Sequence, residues 1–119
     1  MTVKRETPAY FARIYIAGDY NTAKQTCRQF CMKGFCVNIS KTDYIYTMGE
    51  ESGVCVELIN FPRFQQTNKE VFLMAVDLAN KLLEDLYQAS YTIVATDRTY
   101  FFSRKEDVRY RNKTDQRLT

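Results

Sequence analysis

Glu57 is a carboxylate set in an apolar strand, Val-Cys-Val-Glu-Leu-Ile over residues 54–59. Period-two alternation sends Val54, Val56 and Leu58 to one face and Cys55, Glu57 and Ile59 to the other. An ionised carboxylate among apolar neighbours is costly unless it is paired or used. Glu57 therefore reads either as a surface glutamate on a solvated face or as a functional acid tuned by its setting. Tyr46, eleven residues earlier, is the accompanying phenol. It reads either as cross-strand packing at an interface or as a second functional group. Between them, residues 48–53 look like an acidic, glycine-bounded turn, in which Glu50 and Glu51 are most simply solvated charges.

What the chain lacks narrows the chemistry. It has no histidine, which removes the usual general base, the Ser-His and Cys-His nucleophile systems and the commonest transition-metal ligand. Of the four cysteines, Cys27 and Cys31 would share a helix face, but without histidine or a Cys-x-x-Cys pair they do not make a zinc motif. No metal or cofactor is expected. The cysteines read as reduced, mostly buried thiols of a cytoplasmic protein. Catalysis, if present, must rest on carboxylates, tyrosines, backbone amides or the substrate itself.

The 119 residues suit one domain with a modest core. No apolar run approaches the roughly 20 residues that span a bilayer, and the N-terminus lacks a signal peptide's apolar segment. The net charge of +3 falls in residues 104–119, so the preceding body is neutral. That is a solvated tail rather than the basic, aromatic-interleaved face of a nucleic-acid binder, and nucleic acid is not an expected partner. The expected division is an N-terminal arm over 1–9, a domain over 10–104 and a charged tail over 105–119.

The elements that must hold Glu57 follow from periodicity. Residues 10–17 alternate as a first strand, with Ala12, Ile14 and Ile16 on one side and Phe11, Arg13, Tyr15 and Ala17 on the other. Asp19 or Asn21 can cap a helix striped by Tyr20, Ala23, Cys27, Phe30 and Cys31, with Gly34 as its stop. A strand over 35–39 meets a polar break at 40–43 and resumes at 44–46. After the turn and the strand of Glu57, Pro62 breaks the sheet. Thr67 and Glu70 form a capping box that opens a helix striped by Val71, Met74, Ala75, Leu78, Ala79, Leu82 and Leu86. Strands at 90–95 and 99–102 close the chain. This is the ferredoxin-like split βαβ order: an α+β sandwich with an antiparallel sheet and two helices on one face. The other face would expose Phe11, Tyr15, Cys55, Ile59 and, depending on register, Tyr44 or Tyr46, which makes it a candidate subunit interface.

These residues carry a resemblance. The segment 34–104 opens with Gly-Phe-Cys-Val-Asn-Ile-Ser-Lys-Thr-Asp, has tyrosine at 46 and glutamate at 57, and continues through the helix and closing strands. It resembles the phage enzymes that degrade S-adenosylmethionine, long called hydrolases and better described as lyases. Arg-Ile-Tyr-Ile-Ala-Gly-Asp-Tyr at 13–20 and Gly-Glu-Glu-Ser-Gly-Val at 49–54 look like the variant found in environmental phages. The resemblance covers about residues 10–104. It implies a homotrimer, similar in build to nitrogen-regulatory signalling trimers, with S-adenosylmethionine bound between subunits. The family's functional tyrosine and glutamate fall on Tyr46 and Glu57. Tyr44 and the turn residues Glu50, Glu51, Ser52 and Gly53 are the expected substrate contacts. The implied role is depletion of the methyl donor in the cytoplasm of an infected bacterium, against restriction systems.

The chemistry of the residues is compatible with that reading. A sulfonium is already an activated leaving group, and the substrate's own carboxylate can displace methylthioadenosine to give homoserine lactone. Positioning alone can supply effective molarities of about 10⁵ M or more. The alternative reading is a non-enzymatic trimer that binds a nucleotide or a host protein in the same cleft. A nucleic-acid module resting on the tail ranks third.

Overall fold

The alternation at the start of the chain produces the central strand of a five-stranded antiparallel sheet. In the computed structural model, which describes residues 2–104, the strands are β1 (Phe11–Ala17), β2 (Asn38–Tyr46), β3 (Gly49–Ile59), β4 (Ser90–Ala95) and β5 (Thr99–Ser103). They lie in the order β2-β3-β1-β4-β5, every neighbouring pair antiparallel. The first four reproduce the split βαβ order, and β5 extends the sheet beyond β4 as a hairpin. The expected α+β fold class is the one observed.

Two helices cover one face. Helix α1 (Tyr20–Phe30) begins where Asp19 accepts the Thr22 amide at 2.9 Å, and the chain leaves it through a 3₁₀ turn that ends on Gly34 at φ 91°. Helix α2 (Asn68–Asp85) opens on the expected capping box, with Thr67 N–H to Glu70 at 2.8 Å and Glu70 N–H to Thr67 Oγ1 at 3.1 Å. Its stripe of Val71, Ala75, Leu78, Ala79 and Leu82 is fully buried against Ala12, Ile14, Val54, Val56, Leu58 and Ile93 of the sheet. The stripe of α1 includes one residue not expected there. Thr26 is buried, and its hydroxyl donates to Asp85 at 2.5 Å, tying α1 to the end of α2. None of the helices of the described residues is long and apolar enough to cross a membrane.

Three local expectations are corrected. The strand expected from residue 35 starts at Asn38, and Phe35 instead packs edge-on against Phe61 at 6.0 Å, in the core. The expected break at 40–43 does not occur. Those polar residues sit on an edge strand with solvent along one side, where their side chains need no burial. The third concerns the turn: β3 begins at Gly49, so the chain reverses at Thr47 and Met48, and Glu50, Glu51, Ser52 and Gly53 are paired strand residues. Met48 takes the left-handed conformation the reversal needs, at φ 69°. The cysteines also differ from expectation: Cys27 is buried, Cys31 and Cys55 are half-buried and Cys36 is exposed.

The arm before β1 carries no helix or strand over residues 2–10. It is nevertheless anchored, since the buried Asn60 side chain donates to Thr7 Oγ1 at 3.2 Å and to the Pro8 carbonyl at 3.3 Å. The tail expected over residues 105–119 lies outside the described residues.

Candidate functional site

Period two places Phe11, Arg13, Tyr15 and Ala17 of β1 on the helix-free face, beside Cys55, Glu57 and Ile59 of β3. Strand register makes Arg13 and Asn38 the two cross-strand neighbours of Glu57. Arg13 Nε meets Glu57 Oε2 at 2.6 Å, and Asn38 Nδ2 donates to Glu57 Oε1 at 3.3 Å. The Arg13 guanidinium lies over the Phe11 ring, 4.2 Å from its centroid. Its hydrogen bond to Glu57 raises the Arg13 pKa further. The side chains of Arg13 and Glu57 keep 41% and 25% of their surface exposed, so the pair remains open to an incoming ligand. Arg13 was not singled out from the sequence as a functional residue. Its place on the face of Phe11 and Tyr15 was legible, but its pairing with Glu57 required the register.

Further along the same face, Tyr44 and Tyr15 meet edge to face at 6.5 Å. The Tyr44 hydroxyl donates to the Val54 carbonyl at 2.5 Å. Burial pushes its pKa up to about 12, so it acts as a neutral donor. Burial also raises the Cys55 thiol, against the lowering effect of a hydrogen bond with Tyr15. A hollow of about 200 Å³ opens here, lined by Tyr15, Ala17, Tyr44, Glu51, Ser90 and Thr92 among others.

The expected site residues divide between the two faces. Tyr44, Tyr46, Glu51, Gly53 and Glu57 share the helix-free face, whereas Glu50 and Ser52 point the other way. Ser52 lines a separate hollow of about 340 Å³ at the start of α1, with Asp19, Tyr20, Lys41, Thr42 and Asp43. Tyr44 and Tyr46 both lie on the open face, being two residues apart on one strand. Tyr46 pairs with Gly49, and Glu57 lies eight residues further along β3. At about 3.4 Å per residue, that separates them by roughly 27 Å within one chain. A turn centred on Glu50 and Glu51 would have set Tyr46 close to Glu57, but the observed reversal at Thr47 and Met48 does not.

Gly49 and Gly53, which made this stretch look like a turn, are explained by packing. A Cβ on Gly53 would stand 2.5 Å from the Tyr44 ring and 2.5 Å from the Ile16 carbonyl oxygen. One on Gly49 would stand 2.6 Å from the Tyr46 ring. Each glycine lies beneath a cross-strand tyrosine, a pairing in which the ring covers the bare backbone. The tip of the hairpin beyond β1 carries Ile45 at 80% exposure and Met48 at 99%.

No protein-family profile and no curated protein matches the sequence. Two solved structures are similar over almost the whole chain. One is a phage SAM lyase in the apo state, with TM-score 0.66 and 14% identity, covering 90% of this chain and 99% of that one. The other is a phage SAM lyase in complex with S-methyl-5′-thioadenosine, with TM-score 0.63 and 14% identity, covering 87% and 95%. At this identity the likeness is one of architecture: the chain has the fold of the phage SAM lyases.

Proposed function

We propose that this protein is an S-adenosylmethionine lyase that works as a homo-oligomer, most simply a trimer. The observation that carries the reading is the fold shared with two phage SAM lyase structures along nearly their full length, one of them holding S-methyl-5′-thioadenosine. The half-buried carboxylate of Glu57 on the helix-free face supports it. In the reaction, a carboxylate oxygen of the substrate attacks its own γ-carbon. The carbon–sulfur bond breaks, its electron pair goes to sulfur, and neutral methylthioadenosine leaves homoserine lactone behind. A carboxylate and a sulfonium are consumed together, so charge disappears along the path, and a site shielded from water favours the step. It requires no cofactor and no protein nucleophile.

In this reading Glu57 holds the substrate's amino group or its sulfonium region. The nucleoside lies toward the Tyr15–Tyr44 hollow, with Glu51 at its edge, and Gly53 enters through the close approach of the Tyr44 ring that it permits. Tyr46 stands too far from Glu57 of its own chain to share one substrate, so it would act on a site built by a neighbouring copy. There its ring face or hydroxyl would meet the sulfonium. The exposed apolar hairpin tip and the uncovered sheet face are the surfaces such an assembly would bury. Depletion of the methyl donor in an infected bacterium is the role this activity would serve.

The test is incubation with S-adenosylmethionine and separation of the products by chromatography with mass detection. Methylthioadenosine with homoserine lactone is expected, and homoserine from the earliest times would make the reaction a hydrolysis. Saturable binding without product would assign the fold to a binder instead. Glu57→Gln should lower turnover by about 10²-fold, the scale of losing one preorganised electrostatic contact. Near-wild-type turnover in a folded oligomer would remove Glu57 from the mechanism.

A further inference from the structure

The Arg13–Glu57 pair has the form of a receptor for an amino-acid headgroup. An α-amino acid presents an ammonium and a carboxylate joined through one carbon, and the protein presents a carboxylate and a guanidinium joined by one hydrogen bond of 2.6 Å. The two sets of charges are complementary when laid side by side. Arg13 spends only Nε on Glu57. Nη1 and Nη2, the pair of donors suited to a second carboxylate, have no hydrogen-bond partner among the described residues. The Phe11 ring beneath the guanidinium fixes its plane, so the free edge is oriented before a ligand arrives. Asn38 holds the far oxygen of Glu57, which keeps the carboxylate turned toward Arg13.

We propose that Arg13 binds the α-carboxylate of the substrate while Glu57 binds its α-ammonium, so that the pair selects an intact amino-acid zwitterion. This rests on the lyase reading and deepens it by adding the residue that places the attacking group. Held through both oxygens at Nη1 and Nη2, the carboxylate keeps the second lone pair of each oxygen for attack on the γ-carbon. The orientation gained offsets the nucleophilicity that the hydrogen bonds remove. An ordinary surface ion pair, worth little to folding, would show no preference for a carboxylate-bearing ligand.

Calorimetric binding of three probes that the reaction cannot consume tests the assignment on the full-length protein: S-adenosylhomocysteine, its decarboxylated analogue and methylthioadenosine. For the wild type, decarboxylation should weaken binding about tenfold or more, the scale of one hydrogen bond to a charged group. Arg13→Met should bring S-adenosylhomocysteine and its decarboxylated analogue within about twofold of each other, with methylthioadenosine unchanged. Arg13→Lys should restore part of the difference. Retained discrimination in Arg13→Met would overturn the assignment and leave the lyase reading standing. Equal loss of all three ligands would also overturn it, marking Arg13 as a structural residue. Absence of binding by the wild type to all three would bring down the lyase reading together with this one.

Discussion

The two faces of β3 carry the same kind of residue to opposite ends. Val54, Val56 and Leu58 are completely buried beneath the helices, while Cys55, Glu57 and Ile59, each one residue away, remain half-covered. The helix side is held by apolar contact and carries no charge at its centre. The open side sets an ion pair, a tyrosine pair and two tyrosine-covered glycines on the same sheet. Stability comes chiefly from the first face, which leaves the second free to carry groups that are poor for packing and suited to binding.

Adjacent residues can break that comparison. Leu58→Ala removes a fully buried side chain and should cost about 2–5 kcal/mol in chemical denaturation. Ile59→Ala, on the other face, should cost roughly 1 kcal/mol in dilute solution, in proportion to its partial burial. If the open face is buried between copies, the Ile59 deficit should grow with protein concentration, and the Leu58 deficit much less. Equal, concentration-independent costs would show that the two faces do not divide the work in this way.

Gly53→Ala sharpens the contrast within the open face. The added methyl would meet the Ile16 carbonyl, a backbone atom that cannot swing aside, as well as the Tyr44 ring. A loss of about 1–3 kcal/mol is expected, with displacement of Tyr44 visible in its aromatic resonances. A cost near zero would mean that the two strands can part there. Smaller again is Thr67→Ala, which removes one half of the capping box and should lower stability by about 1 kcal/mol without altering ligand binding.

How much of this was legible in the sequence follows the same division. Both helices, their caps and the core stripe of α2 were readable, because each is fixed by residues within a few positions of one another. So was the split of β3 into an apolar and a mixed face. The register of β2 against β3 was not, because two glycines and two glutamates resemble a turn until the tyrosines that cover the glycines are seen across the strand. That shift carried Tyr46 away from Glu57. The partnership of Arg13 with Glu57 joins residues 44 positions apart and depends on pairing that no local pattern states.

A separate effect is confined to alkaline solution, where the two faces can be titrated separately. Burial raises the Cys27 thiol on the helix side from 9.0 to about 12, and the Tyr44 phenol on the open side from 10.0 to about 12. Each is an acid held neutral in the folded chain, so the folded state keeps a proton that the unfolded state releases. Their contributions are complete below the unfolded values and are lost as pH rises toward about 12. The urea midpoint should therefore begin to fall near pH 9 and fall more steeply from about pH 10. Tyr44→Phe should start lower at neutral pH, having lost the bond to the Val54 carbonyl, and show a shallower fall between pH 10 and 12. Cys27→Ala should flatten the curve from pH 9 onward. Tyr10, Tyr91, Cys31 and Cys55 are shifted upward as well and would supply the slope that remains. An unchanged slope in Tyr44→Phe would mean that the phenol ionises as freely in the folded protein as in the unfolded chain. The hollow beside it would then be a wet surface rather than a sheltered half of a binding site.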